Sequence, residues 1–108
     1  MTPEGAVVKA CLEYLQIRGV IAWRNNTTGT WDANKETFRK NAGRNGIADI
    51  IGILPSGRFL AVECKAGRGR LSPAQVEFQR DIIQAGGLHI IARSADDVIR
   101  VLEGDIYV

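Results

Sequence analysis

A chain of 108 residues has room for one hydrophobic core and not for two, so residues 1–108 are expected to form a single domain. Hydrophobic residues at 45% and charged residues at 24% match a water-soluble globular fold and exclude disordered, collagen-like and solenoid chains. The net charge of +2 is small, but its distribution is uneven: Arg39, Lys40, Arg44, Lys65, Arg68 and Arg70 concentrate in the middle of the chain, as suits a phosphate backbone.

Thr2-Pro3-Glu4 reads as a helix start, with a capping hydroxyl, proline at the first helical position and an acid in the first turn. The helix runs to Gly19, and the face carrying Val7, Cys11 and Tyr14 is expected to pack on a sheet. The same opening residues lack the basic and apolar runs of a secretory signal. Cys11 and Cys64 have no CxxC spacing, so reduced thiols in a cytoplasmic protein are expected rather than a zinc site. Val20 to Arg24 reads as a short strand. Asn25 to Asn45 is rich in turn residues and reads as a long loop with a short strand near Glu36 to Lys40. Ile47 to Leu54, the turn Pro55-Ser56-Gly57, and Arg58 to Lys65 form a hairpin. The longest apolar runs, such as Ala48 to Leu54, are far too short to span a bilayer.

A basic, glycine-containing loop from Gly67 to Arg70 leads to Ser72-Pro73, the cap and first residue of a second helix. Val76, Phe78 or Gln79, Ile82 and Ile83 are its expected buried face, and Gly86-Gly87 ends it. Leu88 to Ala92 is a buried strand. Ser94 caps a last helix, Ala95 to Leu102, with Asp96 and Asp97 favoured in its first turn, and Asp105 to Val108 reads as a terminal strand. This order fits an α/β fold with a mixed central sheet flanked by helices.

Asp49 lies in a strand otherwise made of Ile, Ala and Gly. Strand side chains alternate, so Glu63 and Lys65 point the same way, and the hairpin brings Asp49 towards the same end. Acids in apolar strands carry a desolvation cost that a hard divalent cation offsets, and paired carboxylates suit Mg²⁺. Such a cation polarises a phosphate and acidifies a water, and Lys65 is placed to orient that water or stabilise charge in the transition state. Arg44, Asn45, Arg68 and Arg70 flank this group as expected DNA-phosphate contacts. His89, the only histidine, sits in an apolar strand and reads as a structural residue with a satisfied ring.

Asp49 followed by a hairpin and Glu63-Cys64-Lys65 resembles the PD-(D/E)XK nuclease core. With Gly46-Ile47-Ala48-Asp49 and Leu71-Ser72-Pro73-Ala74-Gln75 added, the chain resembles the VRR-NUC family over nearly its whole length. Ala48 stands where the superfamily's name has proline. The resemblance implies a restriction-endonuclease-like fold, with Asp49 and Glu63 as metal ligands, the Cys64 backbone carbonyl as a further ligand and Lys65 as catalytic lysine. It also implies that Gln75 reaches back to the site and that Glu4 contributes an acid to the metal. Mg²⁺ is the implied cofactor, with Mn²⁺ as substitute.

By analogy with minimal stand-alone members, the implied activity is cleavage of branched DNA, resolving four-way (Holliday) junctions as a two-fold homodimer in the cytoplasm of a bacterium or of a phage-infected host. A flap or nicking endonuclease, a non-catalytic nucleic-acid-binding module, and a metal-dependent hydrolase of a small phosphorylated substrate are the alternatives. The last lacks a glycine-rich nucleotide loop after a strand.

Overall fold

The computed structural model describes the backbone of residues 1–25, 30–32, 37–39 and 43–104, and the side chains of 1–25 and 43–104. Helix α1 (Pro3–Ile17) starts where Thr2 accepts a hydrogen bond from Gly5 N at 3.0 Å. It buries Val8, Cys11 and Leu15 fully, while Val7 and Tyr14 of the expected Val7–Cys11–Tyr14 face are partly buried and pack against the same core. The two sets share Cys11 and differ by about one third of a helical turn. Tyr14 lies at the rim of the buried face, where its hydroxyl donates to Glu103 Oε1 at 3.2 Å and accepts from Arg18 at 2.7 Å.

Strand β1 (Ile21–Arg24) follows directly. The expected loop 25–45 contains two short strands, β2 (Thr30–Asp32) and β3 (Thr37–Arg39), paired antiparallel as a separate ribbon. Strands β4 (Ile50–Ile53) and β5 (Phe59–Cys64) form the hairpin, so Asp49 lies one residue before β4 rather than inside it. Helix α2 (Pro73–Gln84), β6 (Leu88–Ala92) and α3 (Ala95–Gly104) complete the described chain. At the start of α3, Asp97 Oδ2 accepts from Arg93 N at 2.8 Å, a bond to the residue ahead of the helix, and among the described residues the Ser94 side chain expected as cap makes no hydrogen bond. The expected strand 105–108 lies outside the described residues.

The main sheet has the order β1-β4-β5-β6. The first two pairings are antiparallel and β5–β6 is parallel, with α2 as the crossover that a parallel pair requires. One face buries Ile50, Leu60, Val62, Cys64 and Ile90 against α1 and α3, through Val8, Cys11, Leu15, Val98 and Leu102. Each such fully buried aliphatic side chain contributes about 1.5–3 kcal/mol.

The opposite face is thinner: α2 covers Ala48, Ile51 and Ala61 with Phe78 and Ile82. Val76 and Ile83, expected in that interface, are exposed, because α2 lies over one part of the sheet only. By register Ile21, Trp23, Ile53 and Phe59 share this face, and all four remain exposed. Among the described residues no helix is long and apolar enough to cross a membrane.

Candidate active site at the end of the hairpin

The hairpin register pairs Ile50 with Val62, and one further step sets Asp49 opposite Glu63. Side chains on facing positions point to one side of a sheet, here the side covered by α2. Asp49 is fixed by the backbone on both flanks. Its carbonyl accepts from Asn25 N at 2.8 Å, and its carboxylate Oδ2 accepts from Cys64 N at 2.8 Å. The side chain thus takes the place of the ladder acceptor where the β4–β5 pairing ends.

Glu63 is only 2% exposed, the one buried charged residue among those described. Its Oε1 accepts from Gln75 Nε2 at 2.9 Å and lies 3.8 Å from Lys65 Nζ. Burial, and then the charge and shared proton of neighbouring Asp49, push the Glu63 carboxyl up to about 8; Lys65 opposes this and distant Glu4 adds a little.

Gln75 reaches Glu63 because of a capping box. Ser72 Oγ accepts from Gln75 N at 3.2 Å, while Gln75 Oε1 accepts from Ser72 N at 2.8 Å. One side-chain oxygen therefore holds the helix end, and the amide nitrogen of the same side chain is left to meet Glu63. Gly46 allows the close approach of α2: its φ is +80°, and a Cβ there would lie 2.4 Å from the Ala74 carbonyl carbon and oxygen.

Asp49, Glu63, Lys65 and Gln75 are thus brought together. Glu4 stands apart at the exposed start of α1 and reaches Glu63 through charge alone; among the described residues no three acid, His or Cys side chains gather closely enough to hold a metal. The Cys64 side chain is fully buried on the opposite face, where contact with Cys11 and burial raise its thiol pKa and keep it protonated. His89 is packed edge-to-face with Phe78 at 6.1 Å, and its buried Nδ1 has no partner, so the expected satisfied ring is not found. Burial lowers its pKa.

The expected phosphate contacts divide. Arg68 and Arg70 are exposed on the loop after β5, and Asn45 is exposed before Gly46. Arg44 is also exposed but is paired, with NH2 2.5 Å from Asp81 Oδ2 and the guanidinium 5.3 Å from the Phe78 ring centre. Three residues absent from the sequence-based set also belong here. Arg93 donates to Gly67 O at 2.8 Å and ties down the basic loop. Asn25 holds Asp49, and Arg24 precedes it. Only the sheet register, which pairs Arg24 with Ile50, puts the last two beside Asp49.

The donors gathered at this rim are carboxylate and carbonyl oxygens. Two carboxylates this close require either a shared proton or a cation, so the residues fit an oxygen-preferring divalent ion better than a zinc-type site.

No protein-family model matches the sequence, and no curated protein matches it. Among solved structures, one described as a VRR_NUC domain is similar at a TM-score of 0.71 and 23% identity, over 95% of this chain and 97% of that one. The chain therefore has the fold of a VRR_NUC domain, the mixed α/β architecture of the restriction-endonuclease-like core.

Proposed function

We propose that the chain is a divalent-metal-dependent DNA endonuclease that resolves four-way junctions as a homodimer. One observation carries the catalytic part of this reading: Glu63 is buried against Asp49, with Lys65 and Gln75 both directed at it. A polar group concentrated this way in an otherwise apolar sheet costs stability, and such a cost is a mark of chemistry.

Asp49, Glu63 and the Cys64 carbonyl would hold the cation. Mg²⁺, or Mn²⁺ in its place, supplies positive charge for the scissile phosphate and acidity for a water. Lys65 holds the attacking water in line and stabilises the negative charge that develops on the phosphate. Gln75 keeps the Glu63 carboxylate turned towards the site. Asn25, through Asp49 O, keeps Asp49 from withdrawing with the loop that precedes it. Arg68, Arg70 and Asn45 contact phosphates on one side of the site. Glu4, at the α1 start, is the acid available to complete the cation's surroundings on substrate binding.

The homodimer and the branched substrate rest on analogy with the fold. The exposed Ile21, Trp23, Ile53 and Phe59 on one sheet face offer a second copy an apolar surface. Cytoplasmic action follows from the same reading.

The test is incubation of pure protein with labelled four-way junction, flap and linear duplex DNA in Mg²⁺, Mn²⁺ or EDTA, beside Lys65→Ala. Junction cutting that needs metal and falls at least 100-fold in Lys65→Ala is the expected result. Preferential flap cutting selects the flap-endonuclease alternative. Tight binding without cutting in any metal refutes the catalytic reading and leaves a binding module.

A further inference from the structure

We propose that the cleft between α1 and β1 is a binding subsite for the sugar-phosphate backbone of the DNA strand that runs past Asp49 and Glu63, with Lys9 and Arg24 contacting its phosphates. The cleft holds about 380 Å³ and is lined by Thr2, Gly5, Val8, Lys9, Leu12 and Arg24. That volume exceeds a lone phosphate and lies in the range of small-ligand sites. Its lining carries two cations and no acid.

Position is the first argument. Arg24 is the last residue of β1 and pairs with Ile50, next to Asp49; the following residue, Asn25, donates to Asp49 O. The cleft therefore lies at the same end of the sheet as the two carboxylates, on the α1 face rather than the α2 face to which they point. By strand alternation Arg24 shares the face of Ala22, which packs into the α1 side of the core. Lys9 comes from α1 across the cleft.

Charge is the second. Asp49, with Glu4 at the start of α1, makes the rim locally acidic, which repels a polyanion unless cations flank it. Arg68 and Arg70 supply them after β5. β1 lies beyond β4 on the other side of the hairpin, and there Lys9 and Arg24 are the cations of the cleft.

Availability is the third. Arg18, Arg44 and Arg100 are held by Glu103, Asp81 and Asp97. Among the described residues, no carboxylate pairs with Lys9 or Arg24, and both are exposed. Asn25, beside Arg24, adds a buried Nδ2 donor without a partner.

The subsite rests on the nucleic-acid reading of the hairpin site, and the experiment separates the two. In a Lys65→Ala background with Ca²⁺, fluorescence anisotropy measures affinity for labelled junction and duplex DNA across a salt series. Lys9→Ala with Arg24→Ala should weaken binding by about 10-fold or more at 0.1 M salt, irrespective of sequence, and lower the salt slope by about 2, near 1 per phosphate contact. Lys9→Arg with Arg24→Lys should restore the slope. Thermal melts of all variants check folding, which two exposed side chains should leave unchanged. Binding curves that coincide with the parent at every salt, or weaker binding with an unchanged slope, overturn the subsite while leaving the nuclease reading in place. A parent that binds no DNA overturns both.

Discussion

Replacing Gln75 with glutamate separates its two tasks. In the folded chain Gln75 Oε1 accepts from Ser72 N, and Nε2 donates to Glu63 Oε1 at 2.9 Å. Gln75→Glu keeps an acceptor for the capping box, which takes Glu or Gln equally at that position. It replaces the donor by a second oxygen facing Glu63. Two carboxyl oxygens at that distance need a proton between them, and Glu63, raised to about 8, holds it at neutral pH.

Linkage sets the sign. A carboxyl whose pKa is higher in the folded chain binds more protons there than when unfolded. The Glu63 carboxyl in the metal-free chain therefore destabilises the fold least below the unfolded value of 4.5 and costs progressively more as pH rises from there through about 8. In Gln75→Glu the loss steepens, because ionised Glu63 then faces another carboxylate instead of an amide donor. A hydrogen bond to a charged group contributes about 1.5–3 kcal/mol. The variant should therefore lie within ~0.5 kcal/mol of wild type at low pH and fall short by about 2 kcal/mol or more at high pH. Urea unfolding with EDTA in a pH 6 buffer and a pH 9 buffer measures this, and Mg²⁺ at the higher pH should close part of the gap. Gln75→Ala, which loses both tasks, serves as reference and should be destabilised in both buffers. A Gln75→Glu deficit of equal size in the two buffers refutes the shared-proton account of Glu63.

Gly46→Ala should cost more than Gly57→Ala. Both residues have positive φ (+80° and +88°), which costs an L-residue about 1–2 kcal/mol, but only at Gly46 does the added Cβ meet the α2 backbone. Urea midpoints that match for the two variants show that α2 does not depend on that contact. His89→Leu should raise stability most on the acid side. Burial lowers the imidazole pKa, so the folded chain resists protonation and loses stability as pH falls below the ordinary value of 6.5. Thermal melts of wild type and variant at pH 5 and pH 7.5 check this, and a stability difference unchanged between the two contradicts it.

The parts of the site legible in the sequence depend on local rules. Strand alternation puts Glu63 and Lys65 on one side, and the Ser72-Pro73 cap fixes where α2 begins and hence where Gln75 falls. What the sequence hid is set by distant partners. No local signal shows that Arg44 pairs with Asp81, 37 residues away. The buried face of α2 is narrower than its apolar spacing suggests: Val76 and Ile83 stay exposed because little of the sheet lies under α2, whereas Tyr14 packs at the edge of the α1 core with its hydroxyl bonded to Glu103 on α3. Of the β2–β3 ribbon, β3 falls within the short strand expected near Glu36 to Lys40, while β2 lies in a stretch whose turn residues pointed to loop. Arg24 carries no motif at all; only the β1–β4 register places it near Asp49.

The two acids differ in what holds them, and that difference bears on how the site responds to substrate. Asp49 is bonded to main chain on both sides, from Asn25 on β1's end and from Cys64 on β5. Moving it means opening the end of the sheet. Glu63 has a fixed backbone in a central strand, but its carboxyl is oriented by side chains alone, Gln75, Lys65 and the proton shared with Asp49, and Gln75 belongs to a helix end that rests on Gly46. Main-chain hydrogen bonds on both flanks are the stiffer support and a side chain at a helix end the softer one. A change in ionisation or coordination at this rim is therefore accommodated through Glu63, Gln75 and the first turn of α2, while Asp49 stays in place. The basic loop from Gly67 to Arg70 lies just before that turn and is anchored by Arg93. On the proposed function, DNA phosphates drawn to Arg68 and Arg70 would act on the same short segment that orients Glu63, linking substrate binding to carboxylate alignment.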